Sequence, residues 1–184
     1  MMDVGHRSRL NILRDLKSPN TEVPVFSENQ IRKLEDIGFF DAPASTIYHG
    51  DYAGGLFDHS YLVGKELQNM TEKLGLQWER GISPWIIGIL HDLCKVDTYK
   101  YNSEKAEWEW DGKDVMIKGH GIKSVVYANR ILTLTPEEEA CILYHMGAFT
   151  PEKEWSYYTE AIHHYKNVLY THTADMIASH IHLT

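Results

Sequence analysis

The chain has 184 residues, 43% of them apolar, a size that a single well-buried core can serve, so one domain is expected. Its 18 basic and 26 acidic side chains leave a formal charge of −8, which disfavours long duplex nucleic acid or an anionic membrane surface as a partner. No run approaches the roughly 18 apolar residues of a spanning helix, and the opening MMDVGHRSRL has no apolar signal core, so a cytoplasmic protein without membrane contact is expected.

In chain order, residues 1–26 carry one short amphipathic stretch, Leu10 to Leu16, before Ser18-Pro19-Asn20 and Pro24 interrupt it, and they read as a peripheral arm. Ser27 is placed to cap a helix carrying Ile31, Leu34 and Ile37 and ending at Gly38. Residues 1–46 are thus an N-terminal arm and helix. A turn-rich segment, Ile47 to Gly55, opens onto Leu56, Phe57, Tyr61, Leu62, Leu67, Met70 and Leu74, whose spacing predicts a long helix closed by Gly75. Ser83-Pro84 starts an almost wholly apolar helix through Trp85, Ile86, Ile89, Leu90 and Leu93, which such a composition buries. From residue 98 to 112 the period changes to alternation, with Tyr99 and Tyr101, then Trp108 and Trp110, flanking a polar turn, which predicts a β-hairpin. Helical spacing returns from His120 to Ile131. Thr135-Pro136-Glu137-Glu138 then caps a helix through Cys141, Ile142 and His145, stopped by Gly147. The last segment, Tyr157 to His182, has neither proline nor glycine and predicts one or two helices. The expected fold class is all-α with a small β-hairpin insertion near residues 98–112.

Cys94 and Cys141 show neither CxxC spacing nor the density of a disulfide framework and read as reduced core thiols. Histidine is in excess, with eleven residues and no oligo-His run. Five predicted segments supply an ordered set of donors: His59, the doublet His91-Asp92, His120, His145 and Asp175. Metal sites in helical bundles are built this way, from inward-facing side chains of separate helices. The doublet is the most telling member, because it lies in the most apolar helix of the chain, where a carboxylate needs a partner and a cation is the strongest one.

This order, with the hexapeptide LHDLCK at its centre, resembles the HD superfamily of metal-dependent phosphohydrolases over about residues 50–180. AGGLFDHS at 53–60 is similar to that family's Gly-Gly-Leu-x-x-His opening, and Thr173-Ala174-Asp175 is similar to its closing aspartate. GHG at 119–121 resembles a Gly-His segment of HD-type 3′-to-5′ exoribonucleases. The resemblance implies one HD-type domain whose helical core, residues 47–182, binds one or two divalent ions. His59, His91, Asp92 and Asp175 would hold the first ion, Asp92 would bridge, and His120 with His145 would complete a second site. Nitrogen and oxygen donors suit Mn, Fe, Ni, Co or Mg. Two ions about 3.5–4 Å apart acidify a water and neutralise a leaving oxygen. Hydrolysis of a phosphate ester is therefore implied, in a nucleotide or short oligonucleotide, with Asp92 and Lys95 as the catalytic residues. Lys95, four residues after His91, would share its helical face and present a cation to the phosphate, the alternative being a snorkelling helix-end lysine.

Two other readings stay open: a di-iron HD-type oxygenase using the same ligands, and a non-catalytic binding module held together by its metal. The aromatic hairpin is expected to pack on the helices, with a nucleobase-stacking wall as the alternative. His49 could reach substrate, and Asp97 could orient Lys95 or cap its helix. His163, His164, His172, His180 and His182 read as solvated or hydrogen-bonded structural residues, and Tyr157, Tyr158 and Tyr165 as core or interface aromatics. The largely apolar aromatic set hints at a homodimer.

Overall fold

A computed structural model describes residues 4–19, 21–46, 50–111 and 117–182. Its helices are α1 (Val4–Asp15), α2 (Glu28–Asp36), α3 (Gly55–Leu74), α4 (Ser83–Leu90), α5 (His120–Ile131), α6 (Pro136–Leu143), α7 (Trp155–His164) and α8 (Asn167–Ile177), the last extended by a π-helical turn, Ala178–His182. A two-stranded antiparallel hairpin, β1 (Tyr99–Asn102) and β2 (Glu107–Trp110), interrupts them with Tyr99 opposite Trp110 and Tyr101 opposite Trp108. The protein is mostly helical with one small sheet among the described residues, and none of its helices there is long and apolar enough to cross a membrane. The predicted division at residues 46 and 47 and the position of His49 fall in or beside residues 47–49, which lie outside the described residues.

The helix ends follow from capping chemistry. Ser27 accepts from the Gln30 N–H while the Gln30 side chain accepts from the Ser27 N–H, a reciprocal box that starts α2. Thr135 and Glu138 repeat it at α6. Gly75 ends α3 in the left-handed conformation, its N–H returning to the Thr71 carbonyl.

Helix α3 packs against α4 and α8, α4 also meets α5 and α6, and α6 meets α5 and α8. Leu56, Phe57, Val63 and Leu67 of α3, Ile86, Ile87, Ile89 and Leu90 of α4, Ile142 of α6 and Val168 of α8 form the fully buried core of this bundle. The α3–α4 contact is a backbone contact: a Cβ on Gly88 would come within 2.2 Å of the Gly64 Cα. That approach requires glycine at position 88, while a Cβ on Gly64 would meet the Trp85 ring at 2.6 Å instead.

Three departures from the sequence reading carry physical reasons. The N-terminal arm is a helix, Val4–Asp15, and is part of the core, with Leu10 and Leu13 buried in the same apolar cluster as Phe39 and Phe40. The apolar period had marked Leu10–Leu16 alone, because the first turn is polar. Helix α4 stops at Leu90, and after His91 the chain tightens into a 3-10 turn, Leu93–Asp97. The apolar run continued to Leu93, but the Asp92 carboxylate leaves the helical path to reach its partners. On the hairpin, Tyr99 and Trp108 are half-buried, whereas Tyr101 and Trp110 are exposed, so only part of the aromatic face packs on the helices.

Polar groups fix the register of three helices. Glu138, fully buried at the start of α6, accepts from Ser83 Oγ at 2.7 Å and from Arg80 Nε at 3.0 Å. Its neighbour Glu137 accepts from the Glu79 N–H at 2.8 Å and from Asn167 Nδ2 at 2.7 Å. The first turns of α4, α6 and α8 are thereby tied together at one end of the bundle. Eight residues on from Ser83, Glu137 and Asn167 stand His91, His145 and Asp175. At 1.5 Å per residue, three side-by-side helices that start in register deliver those three side chains to one level roughly 12 Å away.

Candidate metal centre

All six residues of the predicted donor set meet at that level. His59 comes from the second turn of α3, His91 from the residue after α4, His120 from the first residue of α5, His145 from just beyond α6 and Asp175 from the last turns of α8. Asp92 is at the centre. Its Oδ2 lies 3.6 Å from Nε2 of both His59 and His91, and its Oδ1 lies 2.6 Å from His120 Nε2 and 3.4 Å from His145 Nε2. One carboxylate thus turns each oxygen toward a different histidine pair. His59 Nε2 also stands 3.2 Å from His91 Nε2 and 3.2 Å from Asp175 Oδ1.

The histidine protons can be placed from their backbone partners. His91 Nδ1 donates to the Gly88 carbonyl at 2.8 Å and His145 Nδ1 to the Ile142 carbonyl at 2.7 Å. A carbonyl only accepts, so each Nδ1 carries hydrogen and each ring, when neutral, directs its Nε2 lone pair inward. Burial, partly offset by Asp92, brings the His91 pKa down to about 3 and keeps that ring neutral. A lone pair facing a carboxylate oxygen is repulsive unless a proton or a cation lies between them. His145 Nε2 is buried and makes no hydrogen bond. These features fit a bound cation, and three sets each bring donor atoms within 4.8 Å of one another: His59, His91 and Asp175; His91, Asp92 and His145; and Asp92, Cys94 and His120. These groups could hold a metal ion.

Burial alone would raise the Asp92 pKa, but Lys95, His91 and His120 together hold it well below the usual carboxylate range. Lys95 Nζ lies 2.7 Å from Asp92 Oδ2. Burial works against this ammonium as well, yet Asp92 outweighs it and raises its pKa, so Lys95 is charged. The contact arises across the 3-10 turn as an i,i+3 pair, not from a helical face shared with His91. Asp175 is likewise held below its ordinary value, burial being outweighed by its hydrogen bond to His59 and by the neighbouring His91 and His59 rings. Solvent reaches the cluster from one side: the His120 side chain is 34% exposed and Asp175 17%, against 1% or less for His59, His91 and His145.

Asp97 neither orients Lys95 nor caps its helix. It accepts from Lys123 Nζ and from Tyr127 Oη, the latter at 2.6 Å, and so braces the 3-10 turn against α5. His163, His164 and His180 are exposed, the side chain of His182 lies outside the described residues, and Tyr157 is 64% exposed and not a core residue. His172 is a structural histidine that supports the centre from behind, where its Nδ1 donates to the His145 carbonyl at 2.9 Å. Its position three residues before Asp175 on α8 was the available signal, since that spacing shares a helical face. Cys94 is the residue the sequence reading missed, with Sγ 3.4 Å from the His120 ring nitrogens. Nothing local marked it, because a helix through Asp92 would have turned Cys94 away from it. Burial, with the nearby Asp92 charge, pushes this thiol up to about 12.

Comparison with protein-family models, with curated proteins and with solved structures found no match in any of the three.

Proposed function

We propose that this chain is a single HD-type domain that hydrolyses a phosphate ester of a nucleotide or short oligonucleotide with the help of one or two divalent ions. The observation that carries the reading is the Asp92 carboxylate, whose oxygens face two histidine pairs, with the His91 and His145 rings locked by backbone carbonyls. A divalent ion bound by these groups supplies the charge that acidifies a water and offsets the negative charge gathering on phosphate oxygens.

The remaining work falls to the chain's own atoms. The Nδ1–H bonds of His91 and His145 hold their rings with Nε2 pointing inward, as the outer partners of ligating histidines do. Asp92 accepts from both sides and ties the halves of the site together. Apolar walls from α3 and α4 exclude water behind it, so charge interactions there are weakly screened. The half-open edge at His120 and Asp175 is where a phosphate group can enter. Lys95, charged and 15% exposed, stands next to that edge on Asp92 Oδ2, and its ammonium is the cation available to a phosphate oxygen arriving there.

The test is elemental analysis of protein purified without added metal, followed by turnover on a panel of nucleotides, short oligonucleotides and aryl phosphates with Mn²⁺ or Ni²⁺. Two equivalents of metal per chain, hydrolysis of at least one panel member, and loss of both in Asp92→Asn are expected. Full metal occupancy with no turnover on any member overturns the hydrolase reading. Oxygen uptake by an iron-loaded sample, with no hydrolysis under Mg²⁺, would replace it by an oxygenase.

A further inference from the structure

We infer that Cys94 is a metal ligand: its thiolate joins His120 and Asp92 around the ion in the outer half of the centre, making that position selective for a borderline or soft divalent cation. This deepens the metal-centre reading and depends on it. Sγ of Cys94 lies 3.4 Å from the ring nitrogens of His120, and Asp92, Cys94 and His120 present donor atoms within 4.8 Å of one another. Two ligands of one tetrahedral ion, with metal–sulfur and metal–nitrogen bonds of about 2.3 and 2.05 Å, stand roughly 3.5 Å apart. The 3.4 Å separation is within that range, and because Sγ stands equally far from both nitrogens, the partly exposed His120 ring turns to aim one of them at the shared ion.

The backbone supports the placement. The Cys94 N–H donates to Ser124 Oγ on α5 at 3.2 Å, which fixes the 3-10 turn beside the helix whose first residue is His120. Cys94 is 3% exposed, so its sulfur is held inside the cluster and shielded from bulk oxidants. The step balances simply: the Sγ–H bond breaks, the proton passes to solvent, and a metal–sulfur bond forms without any oxidant or reductant. A site with one thiolate, one imidazole and one carboxylate favours Zn²⁺, Co²⁺ or Cd²⁺ over Mg²⁺. The inner half, with nitrogen and oxygen donors alone, carries no such bias.

The experiment titrates chelator-stripped, reduced protein with Cd²⁺ and separately with Mn²⁺, following bound equivalents by equilibrium dialysis and the ultraviolet thiolate-to-cadmium charge-transfer band. Wild type, Cys94→Ser and Cys141→Ala are compared, each checked for native fold by circular dichroism. Wild type and Cys141→Ala should bind Cd²⁺ and show the band. Cys94→Ser should lack it and lose at least about tenfold in Cd²⁺ affinity while its Mn²⁺ affinity moves less. The chain has two cysteines, so a band in Cys141→Ala can come only from Cys94, and the result stands even if Cys94→Ser fails to fold. Stoichiometric Cd²⁺ binding by Cys141→Ala with no charge-transfer band overturns the Cys94 assignment and leaves the metal centre intact. No uptake of either ion by wild type overturns the metal centre itself, and Cys94 with it.

Discussion

Among single residues, Asp92 and Lys95 carry the greatest consequences. Lys95→Met removes the ammonium beside Asp92 Oδ2 but none of the proposed ligands, so metal content should hold while kcat falls by about a hundredfold, the usual loss when one preorganised charge contact in a transition state is deleted. Parallel elemental analysis and steady-state kinetics check this, and a fall in metal content would instead make Lys95 a structural partner of the site. A second residue-level prediction concerns His6, far from the centre. Its Nδ1 lies 2.8 Å from Asp41 and its Nε2 3.2 Å from Glu35. Partial desolvation disfavours its charged form, but the bonds to Asp41 and Glu35 outweigh it and raise the pKa above 6.5. A raised folded pKa means that the ion pairs stabilise the fold fully below about 6.5 and progressively less as pH climbs through the folded value. Urea melts of wild type and His6→Gln should therefore differ most near pH 5–6 and converge above pH 9; a gap that widens with pH would refute the assignment.

Between elements, two devices hold the helices in place. The Gly64–Gly88 contact brings α3 and α4 together at backbone distance, and His59 and His91 lie at the end of that contact. In Gly88→Ala the new Cβ meets the Gly64 backbone, not a movable side chain, so the helices must separate. A cost of roughly 3 kcal/mol is expected, a fall in Tm of about 6–12 °C for a chain of this size, together with weaker metal binding as the two imidazoles part. The second device is the buried polar layer at the starts of α4, α6 and α8. Glu138→Ala strands Ser83 Oγ and the Thr135 N–H at once and leaves the Arg80 guanidinium its bond to the Thr133 carbonyl, and it should cost about 3 kcal/mol. Thermal melts measure it, and rescue by excess metal should be only partial, because the lost contacts lie at the opposite end of the helices from the donors.

Across the whole molecule, the centre draws side chains from five segments that no single helix connects, so a bound ion is a cross-link of the folded state alone. Mn²⁺ at a hundred times its Kd should stabilise the protein by about 2.7 kcal/mol, a rise in Tm of roughly 5–10 °C, and chelator should remove it; no shift in calorimetry at saturating metal would contradict a centre formed only on folding. Most helix starts and stops, the hairpin and the six donors were legible along the chain, because capping boxes, apolar periods and residue type are local quantities. Thr135 with Glu138, or Gly75 after Leu74, needed no distant partner to be read. Three features were settled only when the helices packed. Helix α1 joined the core, where Leu13 is fully buried and the His6 ring meets Phe40. The α4 path broke at Asp92, so that one carboxylate could face four imidazoles. Cys94 came to lie beside His120, 26 residues away. Each depends on what lies across a helix–helix gap, and a periodicity records only which face of a helix is buried, not which atoms it meets there.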